Sequence, residues 1–162
     1  MTISPKFLLI AALSISGAGA APQKSRGAID ADEREVTAFR LSMDNLIKFG
    51  NATSALMKIT HDDPSLRKQM EEEQQGKNLQ EETAALERHP TAVAAIRSAG
   101  LTPREYLVMT ATIVSTTMAV GMKKEGMIKE FPAIVSAENA AFVNQNYEKI
   151  SALLKKMQAD NQ

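Results

Sequence analysis

The chain has 162 residues, enough for one domain with a substantial core. Its 19 basic and 19 acidic residues cancel, so no charge excess points to nucleic acid, an anionic membrane surface or polyanion mimicry. It contains no Cys, which excludes thiol nucleophiles, iron–sulfur clusters, Cys-ligated zinc and covalent c-type haem. Aromatics are scarce and Trp is absent, while Ala, Leu, Met, Glu, Lys and Gln are plentiful. That composition favours an all-α domain.

Residues 1–20 have the layout of a secretory signal peptide. Lys6 supplies a modest positive region, Phe7 to Ile15 an apolar one, and Ala18-Gly19-Ala20 a small-residue cleavage site before Ala21. The apolar run is shorter than the ~20 residues that a membrane anchor needs. The mature protein is therefore expected to be exported, periplasmic or secreted. Residues 21–29 read as a flexible tail and 30–160 as one helical domain. An exported domain without disulfides must rely on its packed core.

Asp30, with Glu33 three residues later, predicts a helix start. Val36, Phe39, Met43, Leu46, Gly50, Thr53 and Met57 then recur at spacings of three and four, and Ile47 and Leu56 widen the stripe. This predicts one long helix to about Thr60. His61-Asp62-Asp63-Pro64 is a break, with Asp63 as cap of the next helix. That helix, from about Pro64 to Arg88, is largely polar. Leu66, Met70, Leu79 and Leu86 offer it one thin buried edge, and Gly76 is a point for a kink.

His89-Pro90 makes the next break, and a short helix over Thr91 to Ala99 turns Val93, Ile96 and Ala94 inward. Gly100 ends it. Thr102, Pro103 and Glu105 form a capping box for the central helix. From Tyr106 to Met122 that helix carries no charge. Leu107, Ala111, Val114, Met118, Gly121 and Met122 share one arc; Met109, Ile113 and Val120 share another, so more than one neighbour must cover it. The hydroxyls between can bond back to the preceding turn. Five of them dilute its hydrophobicity, which weakens a transmembrane reading. Gly126 is a helix stop. Met127 to Val135 is an apolar linker laid across the domain, and Ser136 caps a last helix to about Gln158. The expected fold is an antiparallel bundle of about four main helices plus the short one.

Chemistry is sparse. His61 and His89 have no second His at ligand spacing, and no P-loop, GxSxG or dinucleotide fingerprint occurs. Met118, Met122 and Met127 lie close in sequence, and thioethers bind Cu(I). Met is also an ordinary core filler, and no His or dense Met motif accompanies these three. No catalytic, cofactor or metal residue is assigned. Arg104, Glu105 and Tyr106 at the head of the central helix, with Asn139 and Phe142 in the last one, are the candidate partner- or ligand-binding residues. An exposed apolar groove between the last two helices, lined by Tyr106 and Phe142, would form the site.

Residues 99–106 (AGLTPREY) and 139–143 (NAAFV) resemble small exported bacterial helical proteins that share such a pattern, over roughly residues 89–151. The resemblance implies a Gram-negative type of bacterium and a periplasmic or secreted helical domain. It brings no activity and no functional residue. Leu101-Thr102 is also faintly similar to the LTxxQ motif of periplasmic stress chaperones and metal sensors, with Glu105 in place of Gln. The expected function is a non-catalytic domain of the cell envelope, a monomer or small homo-oligomer, that binds a protein or a small apolar ligand. The alternatives are a metal- or haem-type cofactor bundle, which the poor His supply opposes, and a stress-chaperone-like protein.

Overall fold

The computed structural model describes residues 26–74 and 78–152. The expected signal peptide, most of the tail that follows it, Gly76 and the end of the last helix lie outside them. Every regular element among the described residues is helical: α1 (Arg26–Ala38), α2 (Met43–Asp62), α3 (Pro64–Gln74), α4 (Leu79–Glu87), α5 (Pro90–Ser98), α6 (Pro103–Lys124) and α7 (Ala137–Gln145). After a turn at Asn146 the chain is helical again over 147–152.

Helix α6 is the hub. Helices α1, α2, α4, α5 and α7 all pack against it. Tyr106 to Ile113 are buried without interruption, as are Thr116, Ala119 and Val120. Its start follows the local code. Thr102 Oγ1 accepts from Glu105 N at 3.1 Å, and Glu105 Oε2 accepts from Thr102 N at 2.8 Å. Its buried hydroxyls are satisfied locally: Thr110 donates to Tyr106 O at 2.7 Å and Thr112 to Val108 O at 2.8 Å. Thr117 differs; its Oγ1 is buried with no hydrogen-bond partner among the described residues.

The N-terminal helix departs from expectation. It is already helical at Arg26, ahead of the expected Asp30, and residues 39–42 interrupt it. Ser42 caps α2 by accepting from Asn45 N at 3.2 Å, while Asn45 Oδ1 accepts from Ser42 N at 2.8 Å. This box uses Asn where the familiar pattern has Glu or Gln. The interruption resets the helix phase. Leu46, Phe49, Gly50, Ala52 and Leu56 face inward, whereas Met43 and Ile47 are left 39% and 57% exposed. Helix α2 then packs on α5, and both bury small residues: Gly50 and Ala52 on one, Ala92 and Ala95 on the other. Ala95, not the expected Ala94, faces inward on α5.

The polar segment after Asp63 begins as its sequence indicates. Asp63 Oδ1 accepts from Ser65 N and Leu66 N, each at 3.0 Å. Helix α4 starts at Leu79 under an Asn78 cap with extended backbone, so one continuous helix to Arg88 is not what forms. Met70, Leu79 and Leu86 are buried, the expected thin edge. The last helix is likewise broken, at Asn146, whose Nδ2 donates to Phe142 O at 2.9 Å.

Candidate functional site

The five candidate residues are all placed, and each is used by the fold. At the head of α6, Arg104 Nε donates to Glu35 Oε1 at 3.1 Å, and Nη2 bonds the second carboxylate oxygen. Asp32 lies 3.7 Å from the same guanidinium, and its other oxygen accepts from Leu79 N at 2.8 Å. One cation thus ties α1 to α6, and Asp32 ties both to the start of α4. The Glu35 hydrogen bond raises the Arg104 pKa against the opposing effect of partial burial. Glu105 is spent on its cap, and the hydrogen bond from the Thr102 backbone holds its carboxyl below the usual value.

Tyr106 is 3% exposed and stacks on Phe49, with ring centroids 5.3 Å apart and planes at 22°. Its hydroxyl shares a 3.3 Å hydrogen bond with Thr53. It joins α6 to α2 and cannot wall an open groove with the half-buried Phe142. Asn139 is 2% exposed. Its Oδ1 accepts from Leu41 N at 2.9 Å and its Nδ2 donates to Phe39 O at 2.7 Å. A side chain at the start of α7 therefore satisfies the backbone of the break between α1 and α2.

The histidines separate. His61 is exposed. His89 is buried, with Nε2 3.3 Å from Glu73 Oε2, and Arg88 Nη2 donates to that same oxygen at 2.8 Å. The Arg88 hydrogen bond, opposed by some desolvation, lowers the Glu73 pKa. This triad pins the end of α3 to the corner between α4 and α5. Sequence reasoning missed Glu73, Glu35 and Asp32, because each is one carboxylate among many on a polar helix face and only the fold selects its partner. Among the described residues, no group of three or more His, Asp or Glu side chains is arranged to hold a metal ion. No described helix is long and apolar enough to cross a membrane.

What the fold leaves uncovered is apolar. Met43, Ile47, Met118 and Met127 are the large hydrophobic side chains exposed among the described residues. Met43 and Ile47 stand one turn apart on α2; Met118 and Met127 flank the end of α6. No family model, curated protein or solved structure is significantly similar to the chain.

Proposed function

We propose that the protein is a non-catalytic helical domain of the cell envelope, its helices bundled about α6, that binds a protein or small apolar partner. The observation that carries this reading is the exposed pair Met43 and Ile47, 39% and 57% accessible on one face of α2. Solvated apolar side chains gain about 25 cal/mol per Å² when a partner covers them. The polar candidates, in contrast, are engaged in ion pairs, caps and buried hydrogen bonds within the fold. Export rests on the layout of residues 1–20, and the likeness to small exported bacterial proteins agrees with it.

Native and denatured mass spectra of the protein purified from the periplasm of its own host test the proposal together. A denatured mass beginning at Ala21 supports export, and one that includes Met1 overturns it. A discrete native adduct that disappears in Ile47→Glu supports binding at α2. A bare native mass, with no adduct in wild type, counts against that surface.

A further inference from the structure

The backbone brings three methionines to the C-terminal part of α6 in two separate ways. Met118 and Met122 are one turn apart, about 40° from each other around the helix, so their side chains are neighbours. Met127 is brought back by the turn that ends the helix. Met127 N donates to Met122 O at 2.9 Å and Gly126 N to Lys123 O at 3.1 Å, with Gly126 at φ +73°. This is the paired-bond Schellman stop, in which the residue after the left-handed glycine lies against the turn holding Met122. Met118 is 61% exposed and Met127 59%, so two of the three are not serving as core filler.

We propose that Met118, Met122 and Met127 form a thioether site for a soft monovalent cation, Cu(I) or its mimic Ag(I). Thioether sulfur is a soft, uncharged donor that selects Cu(I) over the harder divalent metals. Met122 and Met127 lie at the negative pole of the α6 dipole, which favours a bound cation. The two nearby ammonium groups are each seated on an aromatic ring. Lys123 Nζ sits 4.2 Å from the centre of the Phe131 ring and Lys124 Nζ 3.9 Å from that of Tyr147. Both lysines lie about 100° or more around the helix from Met118 and Met122. With no Cys in the chain, no stronger sulfur ligand competes within the protein. The site is separate from Met43 and Ile47 and does not depend on the partner-binding reading.

The test is anaerobic titration of the full mature chain with Cu(I) against a chromogenic Cu(I) chelator, and native mass spectrometry with Ag(I). One equivalent should bind. Met118→Leu, Met122→Leu and Met127→Leu should each weaken it by about tenfold or more, and the triple variant should abolish it. Leucine keeps helix propensity and bulk, and circular dichroism of each variant confirms folding. Met43→Leu should bind as wild type does. Equal affinity in the triple variant, equal loss in Met43→Leu, or no binding to wild type overturns the site.

Discussion

Asn139 bonds the backbone of Leu41 across 98 positions of sequence, accepting its N–H at 2.9 Å, and also donates to Phe39 O. The loop between α1 and α2 is thus held by a side chain from α7. Asn139→Ala would leave a buried donor and a buried acceptor unpaired. A loss of about 2–4 kcal/mol is expected. Urea denaturation measures it; a loss below about 1 kcal/mol would mean that water replaces both bonds.

Tyr106 gives a result that depends on pH. Tyr106→Phe keeps the stack on Phe49 and loses the hydroxyl's hydrogen bonding, to Thr53 above all, for about 1 kcal/mol; Tyr106→Ala should cost about 3–5 kcal/mol. Burial raises the phenol pKa in the folded state. The stability linked to this shift is therefore fully present below the unfolded value of about 10 and is lost as pH rises through the folded one. Wild type should lose more stability above pH ~10 than Tyr106→Phe does. Parallel curves for the two proteins would remove Tyr106 as the cause.

Two threonines on one helix should respond oppositely to the same change. Thr117 Oγ1 is buried without a partner, so Thr117→Val should be neutral or stabilise by about 1 kcal/mol. Thr112 Oγ1 donates to Val108 O and lies 3.3 Å from Val36 O, so Thr112→Val should destabilise by about 1 kcal/mol. Thermal denaturation of the pair is the check, and melting shifts of the same sign contradict the assignment.

At the acid end, Glu73 is the residue to follow. Its pKa is lowered by Arg88 and His89, so its contribution exists above the unfolded value of about 4.3 and disappears as pH falls through the folded one. Glu73→Gln should flatten part of the acid limb of the stability curve, by a small amount because the pair is solvated. An unchanged slope between about pH 5 and 3 would show that the triad carries no linkage.

The ion pair between α1 and α6 can be isolated by a double-mutant cycle. Arg104→Ala and Glu35→Ala should show coupling of about 1 kcal/mol or less, weakened by salt. Coupling indistinguishable from zero would leave Asp32 and apolar packing to hold α1 in place.

The sequence by itself determined the helical class, the starts at Pro64, Pro103 and Ala137, the turn at Gly100 and the stop at Gly126. Each is written in residues within one turn of the event, because caps, proline and left-handed glycine act through local hydrogen bonds and sterics. Only the tertiary structure decided where helices break inside an uninterrupted apolar pattern. The gap at residues 39–42 is stable because Asn139 supplies from afar the hydrogen bonds that a continuous helix would have made. That gap turned Met43 and Ile47 outward, and the packing of α1, α2 and α7 gave Arg104, Tyr106 and Asn139 partners within the fold. Spacing along the chain cannot show which of these happens, since a polar residue on a helix can meet a ligand or another helix equally well until the neighbours are in place.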